Sequence, residues 1–485
     1  MSNEIRNLEP NIIWNNFSKL NAVPRPSKKE EKVIKFIHDF GVSLGLETQI
    51  DKVGNVVIFK PATDGMENRK TVILQSHLDM VHEKNNDVDF DFDKSGIQMY
   101  VDNDWVRAKG TTLGADNGLG VATIMSVLES KDIIHPRLEA LFTIDEETGM
   151  TGALKLDDNI LKGDILLNLD TEEDDEIGIG CAGGVDITIN NCFDTTINPS
   201  LLFIKITLNG LSGGHSGMEI HKNLGNSNKL LNSIINDINE NFLINISEID
   251  GGGLRNAIPR ESSFILGIND LDFESIKTQS VKSFNTIKDQ FLNTDPLIKL
   301  NIIKLKEDFK IIGTDSQTEL IELIRNCPNG VYKMSDNISG LVETSNNLAN
   351  ICLKDGNLNI KCLTRSSDES SKEELKNIIK SLFMNKRYTV DFSGDYPGWQ
   401  PNMNSEILTK LVEVYKDLNS TEPNVAACHA GLECGIIGSH YPELDMISFG
   451  PTIRGAHSPD ERASIKSTIK FWKFLKEVLL KIPLK

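Results

Sequence analysis

At 485 residues the chain is too long for one hydrophobic core to be the default, so two domains are expected. The 39% hydrophobic and 25% charged content is that of a globular enzyme. Acidic residues outnumber basic ones, 70 to 51, and the net charge of −19 disfavours a polyanionic partner such as nucleic acid, since phosphate binding needs clustered Lys and Arg.

The seven cysteines show no Cys-x-x-Cys spacing, which argues against a disulfide framework or a thiolate zinc site and for a reducing compartment. The N-terminus lacks the basic start and apolar core of a signal peptide, and no apolar run reaches membrane-spanning length. Cytoplasm, with no membrane partner, is the expected setting.

In chain order, Ser27-Lys28-Lys29-Glu30 has the pattern of a capping box. Val33, Phe36, Ile37, Phe40 and Leu44 then recur at helical spacing, with Gly45 as the stop. Thr71-Val72-Ile73-Leu74 reads as a buried strand running into Gln75-Ser76-His77-Leu78-Asp79. His77 and Asp79 alternate at period two, so both side chains can leave one face of an extended strand end, Asp79 orienting the imidazole. Gly110 to Gly118 is a turn-rich segment opening a helix over Leu119 to Leu128. A strand over Leu138 to Ile144 ends in Asp145-Glu146-Glu147, and one over Ile165 to Leu169 ends in Asp170. Strands alternating with helices indicate an α/β domain with a mixed, largely parallel sheet flanked by helices. In such sheets, sites gather at the carboxyl ends of strands.

The pattern changes near Gly183. Residues 185–395 read as an inserted α+β domain of sheets and helices, its second unit from about Phe264 to Thr389 similar enough in rhythm to allow two related halves. The α/β domain is then discontinuous, 1–184 and 396–485. It resumes near Ser405 and includes a strand over Leu444 to Phe449 that leads to His457.

Five candidate ligands stand at loop-facing positions: His77, Asp116, Glu147, Asp170 and His457. Singly, each has an ordinary reading: Asp116 as a helix cap, Glu146-Glu147 as an exposed first turn, Asp170 as part of an acidic run, His457 as a loop histidine. Together, nitrogen and oxygen donors without thiolate suit two divalent ions, zinc first, with manganese or cobalt as alternatives. Asp116, on a tight turn before a helix, is the natural bridge. Glu146, beside Glu147, is the natural general base.

The motifs Ser76-His77-Leu78-Asp79-Met80-Val81, Gly114-Ala115-Asp116-Asn117-Gly118, Asp145-Glu146-Glu147-Thr148-Gly149, Asn168-Leu169-Asp170 and Gly455-Ala456-His457-Ser458-Pro459 resemble the cocatalytic two-zinc peptidases. That family includes carboxypeptidase G, peptidase T and aminoacylase. The resemblance spans essentially the whole chain and is closest to the aminoacyl-histidine dipeptidase branch. It implies hydrolysis of dipeptides of broad specificity, Xaa-His dipeptides included, by a metal-bridging hydroxide with Glu146 as base. It also implies that the α/β domain is catalytic and is interrupted by a lid over 185–395, with two ferredoxin-like halves allowed, and that the bond between Asp116 and Asn117 is cis. By the same resemblance, His215 in Ser212-Gly213-Gly214-His215-Ser216-Gly217 reaches the scissile carbonyl, Asn256 binds substrate and Arg365 grips its carboxylate. Where many relatives carry Gly-Gly-Thr-Asp, this chain has His429-Ala430-Gly431-Leu432-Glu433; Glu433 is the candidate for the substrate ammonium, and His429 reads as an ordinary histidine. An N-acyl-amino-acid deacylase or carboxypeptidase on the same site, and a catalytically silent binding protein, are the competing readings. Monomer and homodimer both stay open.

Overall fold

The structure is a computed structural model and describes residues 3–384, 386 and 388–485. It divides into two compact units. The first comprises Met1–Gly180, Trp399–Ala427 and Leu432–Lys485; the second comprises Cys181–Gly398 with Cys428–Gly431.

The first unit is built on an eight-stranded mixed sheet. Its order is Glu47–Ile50, Val56–Lys60, Leu138–Thr143, Val72–His77, Ile165–Asn168, Asp445–Ser448, Glu176–Cys181 and Asn424–Cys428. The four central strands run parallel, and antiparallel pairings begin at Val56–Lys60 on one side and Glu176–Cys181 on the other. Val72, Ile73 and Leu74 are fully buried, as a central parallel strand covered by helices requires. Helix Ala115–Glu129 packs against that strand and against helix Asn11–Leu20. It is buried all round, which is why it shows no amphipathic stripe.

Helix Glu31–Ser43 forms where the apolar spacing predicts it, and Gly45 follows at φ +69°. The capping box does not form. Ser27 Oγ donates to Asp79 Oδ2 at 2.8 Å, and Glu30 Oε1 accepts the amides of Lys28 and Asp145. Both side chains are committed to long-range partners, which a local pattern cannot reveal.

The second unit holds a nine-stranded sheet in which every pairing is antiparallel. Leu202–Asn209, Ile244–Gly252, Ser262–Ile268 and Lys299–Lys304, with helices Ser227–Asn239 and Phe273–Gln290, make one βαββαβ half. Gly183–Cys192, Val342–Lys354, Asn357–Ser366 and Thr389–Tyr396, with helices Thr314–Asn326 and Glu369–Met384, make another. The first half is inserted into the second after Cys192, and the two join edge to edge through Ile249–Gly252 and Asn350–Leu353. One aliphatic core, including Ile206, Ile235, Leu266, Ile351 and Ile379, lies between sheet and helices.

Candidate active site

His77 is the last residue of strand Val72–His77, Glu146 and Glu147 open a short helix just beyond Leu138–Thr143, and Asp170 lies two residues beyond Ile165–Asn168. Three adjacent parallel strands therefore deliver their side chains to one edge of the sheet. Asp116 comes in from the turn opening helix Ala115–Glu129, where the Asp116–Asn117 bond is cis. His457, at φ +62°, closes the group from the far end of the chain.

The two oxygens of Asp116 face different histidines. Oδ1 lies 3.2 Å from His77 Nε2 and Oδ2 lies 3.1 Å from His457 Nε2. His457 Nε2 is also 3.0 Å from Glu147 Oε2, and His77 Nε2 is 3.6 Å from Asp170 Oδ1. The result is two triads, His77–Asp116–Asp170 and His457–Asp116–Glu147, that share Asp116 and have donor atoms close enough to hold a metal ion. The donor set, imidazole nitrogen and carboxylate oxygen without sulfur, fits two hard-to-borderline divalent cations. Glu147 Oε1 is buried without a hydrogen-bond partner, a costly state that a cation would relieve.

Asp79 is fully buried behind His77, with Oδ1 3.3 Å from Nδ1. Its carboxylate accepts the amides of Glu146 at 3.0 Å and Glu147 at 3.3 Å. Asn117 Nδ2 donates to Leu169 O and to Asp170 Oδ1.

Electrostatics follow from the crowding of carboxylates and two histidines at these strand ends. Burial disfavours a protonated His77, yet Asp170, Asp116 and Asp79 overcome it and raise its pKa well above the ordinary imidazole value. Hydrogen bonds to Asp116 and Glu147 lift His457 to about 11. Burial would raise Asp116, but hydrogen bonds from His457 and His77 bring it below the usual carboxylate range. Burial raises Glu146, with His77 opposing and Glu433 and Glu147 adding to the rise; burial raises Asp170 likewise.

Glu433 lies under the strand ends. Its Oε2 accepts from Gln75 Nε2 at 2.7 Å and Thr143 Oγ1 at 2.6 Å, while Oε1 is buried without a partner. Burial pushes its pKa to about 7.

The remaining predicted residues lie in the second unit. His215 sits in the two-residue strand Gly214–His215, paired with Ala257–Ile258, and Ser216 N donates to Asn256 O at 2.8 Å, so His215 and the exposed Asn256 are neighbours. His215 Nδ1 accepts the amides of Gly217 and Met218, which leaves the ring hydrogen on Nε2. Burial, then the charge of Arg365, lowers its pKa and keeps the ring neutral. Arg365 is buried and donates from Nη1 to Tyr396 Oη at 3.0 Å. His429, read from the sequence as ordinary, is buried against Ser345 Oγ at 2.7 Å, with burial and the Arg365 charge lowering its pKa to about 3. Neither His429 nor Tyr396 carries a sequence signal of this placement.

Residues 73–481 match peptidase family M20/M25/M40. The chain belongs to this family. Among M20 relatives, the cytosol non-specific dipeptidase of Escherichia coli (strain K12) is 42% identical over 483 residues, 99% of this chain and 100% of that protein. The crystal structure of aminoacylhistidine dipeptidase from Vibrio alginolyticus superposes with a TM-score of 0.94 at 40% identity, covering 99% of this chain and 98% of that one. Aminopeptidase PepT from Bacillus cereus shares the fold at 15% identity, with a TM-score of 0.56 over 98% of this chain and 99% of that one. No helix among the described residues is long and apolar enough to cross a membrane.

Proposed function

We propose that this M20 peptidase is a two-metal dipeptidase of broad specificity, Xaa-His dipeptides included, working in the cytoplasm as its Escherichia coli relative's name indicates. The observation that carries the two-metal reading is the sharing of Asp116 between two histidine–carboxylate triads.

His77, Asp170 and one oxygen of Asp116 would hold one ion; His457, Glu147 and the other oxygen would hold the second. Zinc is the first expectation, manganese or cobalt the alternatives. Bound there, the ions would polarise the peptide carbonyl and lower the pKa of water. The rest of the chemistry belongs to the chain. Asp79 faces His77 Nδ1 and so turns Nε2 toward the site. Glu146 is the base: its raised pKa suits a carboxylate that takes a proton from the attacking water and passes it to the leaving amine. His215 presents a neutral Nε2–H, the form needed to donate to a developing oxyanion. Arg365 is the candidate for the substrate carboxylate, Asn256 for assisting binding, and Glu433 for the ammonium.

An enzyme restricted to dipeptides must reward both charged ends of the substrate. Steady-state assays on a dipeptide, its N-acetylated form and a tripeptide test this. Efficient cleavage of the free dipeptide alone is expected. Equal cleavage of the acetylated form would move the reading to a deacylase.

A further inference from the structure

The turn that carries Asp116 is gripped by two buried charged side chains remote from it in sequence. Glu461, four residues beyond His457, is 2% exposed, and its carboxylate accepts four successive backbone amides. Oε2 takes Leu113 N at 2.6 Å and Gly114 N at 2.8 Å; Oε1 takes Ala115 N at 2.7 Å and Asp116 N at 3.2 Å. Four amides converging on one carboxylate form a nest, a concavity that suits an anion. Leaving these amides without an acceptor would be costly.

Arg25 grips the same turn by its carbonyl. Nη2 donates to Gly114 O at 2.5 Å and to Asn21 Oδ1 at 3.1 Å, while Nη1 donates to the carbonyls of Leu78 and Asp79, both at 3.0 Å. This explains the glycines of the motif. Gly114 sits at φ +67°, and a Cβ there would lie 2.5 Å from Arg25 Nη2 and 2.8 Å from Met80 Sδ; a Cβ on Gly118 would also lie 2.5 Å from Nη2. Small residues are needed here so that the guanidinium can reach the backbone.

Arg25 thus ties the Asp116 turn to the segment carrying His77 and Asp79, and Glu461 ties it to the segment carrying His457. We infer that Glu461 and Arg25 are positioning residues that aim the two oxygens of Asp116 at His77 and His457 before any metal is bound. The inference rests on the two-metal reading; its content is that the bridge is preorganised by the chain rather than shaped by the ions.

The test uses Glu461→Gln, which puts an amide donor against backbone donors, and Arg25→Lys, which keeps the charge but loses the two-armed reach. Cobalt(II) affinity by chelator competition, the visible absorption of the cobalt protein and the kcat and KM of dipeptide hydrolysis are read on each. Outer partners of metal ligands ordinarily contribute about 10–100-fold. Both variants are expected to lose cobalt affinity and kcat in that range, with an altered absorption band and little change in KM. Parental affinity, absorption and kcat in folded variants would overturn the inference and leave only a stabilising role. If neither variant folds, amide hydrogen exchange on the metal-free parent decides. Protection of the Leu113–Asp116 amides without metal supports preorganisation, and protection appearing only on metal addition refutes it. Failure of the parent to take up two equivalents would instead defeat the two-metal reading, a separate outcome from either variant's behaviour.

Discussion

The backbone amide of Glu146 donates to Asp79 Oδ1 at 3.0 Å, so the proposed base is anchored by the same carboxylate that faces His77. The anchor is main-chain. Glu146→Ala removes the base and leaves the amide, Asp79 and every proposed ligand in place. Turnover should fall by roughly a hundredfold or more, as for loss of a general acid–base group, with metal content unchanged. Metal analysis beside steady-state kinetics checks this; near-normal turnover with both metals bound would remove Glu146 from the role.

Asp116→Ala deletes the only side chain common to both triads. The variant should hold fewer than two equivalents of metal after gel filtration and show no measurable hydrolysis. Two tightly held equivalents in this variant would refute the bridge.

Metal uptake should release protons. Without metal, His77 is raised well above its ordinary pKa and His457 to about 11, so both are protonated near neutral pH, and Asp170 is shifted upward as well. Ligands must shed these protons, so apparent metal affinity should rise with pH, by up to tenfold per pH unit for each proton displaced. A pH indicator in weak buffer should register at least two protons released per chain on loading. No release, or tighter binding on acidification, would contradict the assignment of the two histidines as ligands.

His215→Ala should lower kcat more than it raises KM if its Nε2–H serves the developing oxyanion rather than bound substrate. Arg365→Lys keeps the charge but loses the planar fork held against Tyr396, so it should raise KM for free dipeptides. A change in the opposite parameter for either variant reassigns that residue.

Much of this arrangement can be traced in the sequence because α/β sheets collect side chains at the carboxyl ends of strands. His77, Glu147 and Asp170 each follow an apolar run, and Asp116 follows a glycine-rich turn. What stays hidden is long-range. Glu461 looks like any acid in a loop, and Arg25 like a basic residue between prolines, until the fold carries them to a turn 345 and 89 residues away. Gln75, Asn168 and Ser448 are buried polar side chains in three central strands. They form a buried chain, Asn168 Nδ2 to Gln75 Oε1 at 2.5 Å and Ser448 Oγ to Asn168 Oδ1 at 2.5 Å, that ends on Glu433. Period and propensity carry no information about such pairings. The same blindness produced the capping box at Ser27–Glu30, whose side chains serve Asp79 and Asp145.

Stepwise addition of zinc to the metal-free protein, followed by dipeptide hydrolysis at each step, tests the two-metal dipeptidase most directly. Activity should rise until two equivalents per chain are bound and then level off. Full activity in the metal-free protein, or a plateau at one equivalent with no further gain, would contradict it.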